Sequence, residues 1–428
     1  MRASAPAEPA SPAAPIEATT SPEGSGSLRW AWIAWGLGAL CYFTSLFHRA
    51  SLGVAAGQAM QRFHAGPALL ALCSALQLGV YLLLQVPSGL LADRLGPRKV
   101  ITGGMLALAA GSLVFGMSSS VAGGVTGRVL IGIGDAFMFI NVLRLAAHWF
   151  PPARYGRIAA LTGLTGGLGQ LVATMPLSSA LRGLGWTVTF GAAGTITAVI
   201  AVLAAVVVRD GPSGDHAEPE PEREPVRQAL RGVLAKRGTR HSFFVHFVLM
   251  AQFVAVTTLW GSPWLTQAQG RSAGAASSLL LVCVVGFIVG SWLCGQYVAG
   301  RPARRERFTA WVSVVVVAVW SVMVAWPGPM PTPVLLAVLV VIGAAGGGSM
   351  LSFDGARAVN SKHRNGTASG VVNMGGFLAA VLVQVLVGVV LQVTGSLPAG
   401  EAYRWAFAPV VLLLVLGTVA QVRLRTVR

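Results

Sequence analysis

Gly89-Leu90-Leu91-Ala92-Asp93-Arg94-Leu95-Gly96-Pro97-Arg98-Lys99 is a charged hairpin set between two long apolar runs. An aspartate at the C-terminal end of a helix stands beside that helix's negative pole, so a positive group nearby has to compensate it. Arg94, Arg98, Lys99 or the positive start of another helix can do so. Gly89, one turn before Asp93 on the same face, removes a side chain where a second helix can come close. Such an ion cluster is a candidate latch, made in one conformation and broken in another.

Of the 428 residues, 54% are hydrophobic and 11% charged, and the mean hydropathy is +0.68. A soluble chain of this length needs far more charge to cover its surface, so this is an integral membrane protein. Runs long enough to cross a hydrocarbon core of ~30 Å as helices lie at 29–54, 68–92, 100–119, 122–148, 157–180, 185–208, 242–266, 273–298, 308–326, 332–355, 366–392 and 403–422. That is twelve spans. Of the 31 Lys and Arg residues, 24 fall on the side of the termini and four (Arg62, Arg182, Arg271, Arg404) on the other. The asymmetry predicts that both termini are cytoplasmic in a multi-pass protein of the plasma or inner membrane. The net charge of +17 is then a topology signal, and no nucleic-acid partner is needed to account for it.

Residues 1–28 lack a basic region followed by an apolar core and read as a disordered tail, with the first span as an uncleaved anchor. The segment 209–241 divides the spans six and six. Its acidic, proline-bearing part reads as a flexible linker, and Val226, Leu230, Val233 and Leu234 among arginines predict a short helix on the inner leaflet. The expected units are therefore the tail 1–28, a first bundle at 29–208, the linker 209–241, and a second bundle with a short tail at 242–428. A shift of about 206 residues lays Gly89 on Gly295, and one of about 207 lays Arg157 on Arg364 and Gly163 on Gly370, the echo expected of a duplicated six-helix unit. Gly163, Gly166, Gly167 and Gly169 in the fifth span, with Gly366, Gly370, Gly375 and Gly376 in the eleventh, mark close helix packing. The four cysteines stand at no metal-ligand spacing, no phosphate-binding loop is present and no cofactor is expected.

Ionisable groups inside a span are costly, so each needs a partner or a watery cavity. His48 and Arg49 end the first span beside Tyr42 and Thr44, a polar patch suited to an anion; a snorkelling interfacial arginine is the alternative. Arg128 and Asp135 share one face of the fourth span two turns apart, roughly 10 Å along the axis, too far to pair within the helix. Asp135, near mid-span, is a candidate proton carrier with Arg128 beside it, or else a structural partner of Arg49 or Arg128. Gln77, Asn141 and Asn373 are further polar residues placed to meet a substrate, and Arg144 either snorkels or lines an inner vestibule. Asp354 and Arg357, one turn apart at the inner end of the tenth span, either pair with each other or join the hairpin around Asp93 in closing the inner side. Trp260-Gly261-Ser262-Pro263-Trp264 ends the seventh span as an unwound outer gate or as an aromatic belt at the interface.

The hairpin G-x-x-x-D-R-x-G-x-R-K resembles the loop between the second and third helices of the major facilitator superfamily of secondary transporters. Arg128-Val129-Leu130-Ile131-Gly132-Ile133-Gly134-Asp135-Ala136 looks like that family's fourth-helix motif. Followed by Trp149-Phe150-Pro151-Pro152-Ala153-Arg154, it is similar to the anion:cation symporter branch. In that branch an Asp-Arg pair ends the first helix and its arginine contacts anionic substrates; here the pair is His48-Arg49. The branch's seventh-helix arginine has no counterpart, the Gly-Pro motif of drug:proton antiporters is missing from Gly163–Gln170, and Gln77, Gln85 and Gln296 stand in the second and eighth spans where nitrate transporters have arginines.

The resemblance covers about residues 29–425 and implies an all-α membrane protein of twelve helices in two pseudo-symmetric bundles, working by alternating access. It implies secondary transport of a small organic anion coupled to a proton or another ion, by a monomer in the bilayer and without enzymatic activity. Arg49, His48, Tyr42, Gln77, Asn141 and Asn373 are then the candidate substrate contacts, and Asp135 with Arg128 the coupling pair. Gly89, Asp93, Arg94, Gly96, Arg98, Asp354 and Arg357 form the cytoplasmic gate. Proton-coupled efflux of a hydrophobic compound, and a transporter-like ligand sensor, are the other readings.

Overall fold

In hydrocarbon each peptide N–H and C=O must find its partner inside its own segment, and apolar runs of this length do so as helices. The computed structural model describes residues 25–211, 225–299, 301–361 and 364–425, and all regular structure in them is helical. Ten helices are long and apolar enough to cross a membrane. The second and fifth rods complete the expected dozen and fall short of that test for visible reasons. The second is broken at Leu84 into helices of 17 and 11 residues, Pro67–Leu83 and Gln85–Leu95. Pro87 has no N–H for the Leu83 carbonyl one turn back, which interrupts the ladder there. The fifth, Pro152–Val172 and Met175–Gly183, is broken before Pro176 for the same reason, and glycines and threonines dilute its apolar content.

The remaining spans are Ser25–Val54, Pro97–Met117, a fourth in two pieces (Val121–Ala136, Phe139–Trp149), Gly185–Val207, Arg237–Ala268, Ala273–Val298, Pro302–Ala325, a tenth in two pieces (Thr332–Gly348, Leu351–Val359), Asn365–Val393 and Ala399–Arg423. The seventh and ninth begin about a turn before their apolar runs, because a helix continues to the interface, where arginines reach water. Most of the expected tail (1–24) and the acidic part of the linker (212–224) lie outside the described residues. The linker helix forms over Val226–Ala235, with Leu230 and Val233 of its apolar face turned to protein and Leu234 exposed. Val233 is buried with Ala356 of the tenth span and Ala368, Val371 and Val372 of the eleventh, while Arg227 and Arg231 stay exposed.

Glycines fix how the fourth span sits. The third and fourth spans run antiparallel and touch through Gly111 against Gly127 and Gly104 against Gly134; a Cβ on Gly111 would lie 2.7 Å from the Gly127 carbonyl. Seven residues separate the glycines on each helix, so both contacts fall on one face. Gly132 admits the backbone of Gln77 from the second span, 2.5 Å from where its own Cβ would be. With these faces occupied, Arg128 and Asp135 are directed at the first span. Gly111→Val is expected to cost about 3 kcal/mol or to prevent folding, as overpacking does. Thermal unfolding of purified protein in detergent reads the effect against Gly36→Ala, where no atom lies within 4 Å of an added Cβ.

One end of the molecule carries the basic connections at 93–99 and 301–307 together with the first and last described residues, Ser25 and Arg425, and is termed the basic end. At the opposite, distal end the two halves meet. Gly388 of the eleventh span lies against Pro67 and Ala71 of the second, and a Cβ on Gly53, near the end of the first, would lie 2.6 Å from the Thr258 carbonyl of the seventh. Toward the basic end the pieces Gln85–Leu95, Phe139–Trp149 and Leu351–Val359 pack chiefly within their own halves. Gly163 shares a face with Gly166 and Gly167, which meet Tyr42 and the other half's Ile288, yet no atom lies within 4 Å of its own Cβ position. Gly370, two turns before Phe377, is likewise open. The halves are therefore joined distally, while at these two positions toward the basic end the described residues leave open space.

The seventh span does not unwind at Trp260-Gly261-Ser262-Pro263-Trp264. It widens into five-residue turns over Val256–Trp260 and Trp264–Ala268, which accommodate the N–H that Pro263 lacks. Trp260 and Trp264 are buried, and the Trp260 indole donates to the Gln384 carbonyl at 3.1 Å. They hold the distal contact and are not an interfacial belt.

Candidate functional site

Arg49 and Asp135 meet. Arg49 Nε donates to Asp135 Oδ2 at 2.7 Å and Nη2 to Oδ1 at 2.9 Å, a two-pronged pair. Ser45, one turn earlier on the first span, donates its hydroxyl to the same carboxylate. The guanidinium lies 4.5 Å from the ring centre of Tyr81 and 5.2 Å from that of Phe377, whose rings are 4.7 Å apart. Tyr81 belongs to the second span and Phe377 to the eleventh, so the cradle is closed by a residue of the other half. Arg49 is 7% exposed and Asp135 1%, and removing either would strand the other charge out of water. The fourth span breaks just past the carboxylate, where Phe137 and Met138 donate to the carbonyls of Gly134 and Asp135, three residues back.

Arg128 does not touch Asp135. Its Nη1 donates to the His48 carbonyl at 3.3 Å and to Ser51 Oγ at 3.2 Å, and Nη2 to the Arg49 carbonyl at 3.3 Å. It clamps the stretch of helix that presents Arg49. His48 turns away from the pair, its Nε2 lying 2.8 Å from Thr197 Oγ1 of the sixth span. Tyr42 is two turns from Arg49 on the same face and packs on Phe139 in space left by Gly166.

Gln77, one turn distal of Tyr81, is buried with neither amide atom bonded. Asn141 lies past the break, where its Nδ2 joins Ser88 Oγ at 3.0 Å and the Phe137 carbonyl at 2.8 Å. Asn373 is half-buried one turn from Phe377 toward the basic end. The structure thus gathers Arg49, Asp135 and Tyr42 on one wall and leaves His48 behind it. Ser45, Tyr81 and Phe377 were missed by sequence reasoning. The only available signals were the four-residue steps from Ser45 to Arg49 and from Gln77 to Tyr81.

At the basic end the Gly89 carbonyl accepts from Arg144 Nη1 at 3.1 Å. Gly96 has φ +81°, a backbone state suited to glycine, and a Cβ there would lie 2.5 Å from Asp210 Oδ2. The Arg98 N–H donates to Asp210 Oδ1 at 2.6 Å, and its guanidinium to the Ala205 carbonyl at 3.0 Å. Asp210 therefore caps the start of the third span, a role its Arg-Asp-Gly-Pro setting did not advertise. His148 and Trp149 bond the carbonyls of Asp210 and Arg209 at 3.0 and 2.8 Å. In the conformation described, Gly96 and Arg98 belong to a clasp among the third, fourth and sixth spans of one half. The side chains of Asp93 and Arg94 lie outside the described residues. Asp354 and Arg357 are both exposed and, among the described residues, form no ion pair with each other.

Comparison with known proteins agrees with this architecture. The sequence model of the Major Facilitator Superfamily matches residues 38–384, and the chain belongs to that family of membrane transporters. A probable sulfoacetate transporter of Cupriavidus necator is 23% identical over 84% of this chain and 87% of its own. A probable galactarate/D-glucarate transporter of Pseudomonas putida is 24% identical over 81% and 83%. A quinolone resistance transporter of Acinetobacter baumannii is 29% identical over 38% of this chain and 39% of its own. Among solved structures, a bacterial homolog of the human lysosomal transporter Spinster shares the fold with a TM-score of 0.74 at 16% identity, covering 92% of this chain and 97% of that one. The chain is a transporter and not an enzyme.

Proposed function

We propose that this transporter carries a small organic anion by proton-coupled alternating access, with Arg49 as the anion contact and Asp135 as the proton carrier. The two-pronged Arg49–Asp135 pair carries the reading. A substrate carboxylate or sulfonate fits the same guanidinium fork and competes for it. Once displaced, Asp135 is a buried carboxylate without a cation, and a proton removes that cost. Loading and protonation thereby require each other. Tyr42, Gln77 and Asn373 are the polar groups placed to meet the rest of the substrate, and Arg128 holds Arg49 in position. Relatives that match over four-fifths of this chain and are named for sulfoacetate and galactarate/D-glucarate support an anion.

The basic end is cytoplasmic in this reading, by the distribution of Lys and Arg. The conformation described, joined distally, then opens to the cytoplasm, and the hairpin 89–98 with Asp354 and Arg357 closes that side in the alternate state. Efflux is a second reading, favoured by the partial match to a quinolone resistance transporter. Flux in proteoliposomes separates the two: anion symport needs Arg49, whereas drug efflux proceeds without it and still needs Asp135. A further expectation concerns access. Gly163→Cys and Gly370→Cys should react with a membrane-impermeant maleimide applied from the cytoplasmic side, and far more slowly from outside. The opposite pattern would reverse the assigned orientation.

A further inference from the structure

Of the 14 acidic residues, Asp135 alone lies in the middle of a span. Asp93, Asp210, Glu306 and Asp354 lie at the basic end, Glu401 in the first turn of the twelfth span, and the others in 1–24 and 212–224. Around Asp135 the first span offers Tyr42, Ser45 and Arg49, and the second Tyr81. The third presents Gly104 and Leu108 beside Gly134, and the fourth itself adds Arg128 two turns away. Mid-span cations are as scarce. Arg128 is held by carbonyls and a hydroxyl of the first span, which leaves Arg49 as the guanidinium facing the carboxylate.

Two histidines lie deep in the spans, and hydrogen bonding fixes which ring nitrogen of each carries its hydrogen. Thr197 Oγ1 donates to the Ala193 carbonyl at 2.7 Å, so it accepts the hydrogen on His48 Nε2. His48 Nδ1 is then a bare lone pair, buried without a partner. A second N–H there would meet no acceptor, beside an Arg128 already bonded to the His48 carbonyl. In the second half, Ser352 Oγ donates to the Ser349 carbonyl, and His246 Nδ1 faces both oxygens at 3.2 and 3.3 Å, so Nδ1 carries the hydrogen. His246 Nε2 is buried against Gly376 with no partner.

We infer that the site takes up one negative charge together with one proton: its substrate is a singly charged organic anion, carried with a single proton and no net movement of charge. The inference rests on the proposed function and deepens it. In the empty site the charges of Arg49 and Asp135 cancel. In the loaded site Arg49 and the anion cancel and Asp135 is neutral, so the buried charge is the same in both states. A dianion would leave one negative charge in low dielectric with no cation to meet it.

The test uses the wild-type protein in proteoliposomes with membrane potential clamped by potassium and valinomycin. The probes are matched pairs of singly and doubly charged anions, galactonate with galactarate and isethionate with sulfoacetate. We expect the monoanion of a pair to be taken up at least about tenfold faster. Its uptake should follow the pH gradient, change less than about twofold with imposed potential, and stop when a tenfold proton gradient opposes a tenfold substrate gradient. Proton-driven uptake that also rises with an inside-negative potential, or a balance point near a hundredfold, overturns the single proton. Equal transport of the dianion overturns the single charge. Anion flux that ignores the pH gradient, or no flux of any probe, has a different signature and overturns the proposed function together with this inference.

Discussion

Arg49→Ala should abolish anion uptake while leaving Asp135 buried without its cation. Breaking a buried pair on one side costs about 3–5 kcal/mol, so loss of binding by about a hundredfold or more is expected, accompanied by a lower unfolding temperature. Arg49→Lys is the sharper variant. It keeps the charge but loses the second prong to Asp135 and the planar face between Tyr81 and Phe377, two things an ammonium cannot supply. Transport reduced about tenfold with a near-normal melting temperature is the outcome expected for a geometric role. Equilibrium binding of a labelled anion, measured beside thermal unfolding, separates the two effects. Full transport by Arg49→Ala would remove the anion contact from the mechanism.

The second large effect belongs to Asp135→Asn. Asparagine keeps the size of the side chain and can still accept from Ser45 and Arg49, but it neither bears the charge nor takes up a proton. Wild-type uptake should rise as the external pH falls, because loading requires a protonated Asp135. The variant's uptake should be flat with pH and indifferent to a protonophore, yet it should still exchange internal for external substrate. Since the anion no longer has to displace a carboxylate, its apparent affinity should increase by about tenfold, the direction expected when a competing ion pair is removed. A variant that still concentrates substrate along a pH gradient would assign the coupling to another group.

The rods of this fold were legible because the bilayer enforces a length and a composition on each of them. Even the two rods that fail a strict apolar test were visible as apolar runs, at 68–92 and 157–180. What could not be read was rotation about each helix axis. Arg49 and Asp135 stood out as costly ions, and their pairing was one of two open possibilities for the aspartate. The choice is made by Gly104, Gly111, Gly127 and Gly134, which press the fourth span onto the third and turn its charged face to the first. Those four glycines stand at a seven-residue spacing on each helix, a pattern that shows a contact only once the partner helix is known. His48 illustrates the opposite limit. Next to Arg49 in sequence, it points roughly 100° around the helix and finds Thr197, so adjacency in the chain says nothing of a shared site. Phe377 is beyond any local pattern, since it reaches Arg49 only through the packing of two halves whose sequences are far apart.

That last contact has a mechanical consequence. Arg49, Asp135, Ser45 and Tyr81 all belong to one half, whereas Phe377 belongs to the other. In the proposed alternating access, separation of the halves at the distal end would withdraw this ring like a shutter and uncover one face of the guanidinium to whatever fills the gap. On that reading the hydration of a single cation is geared to the rocking of the whole molecule.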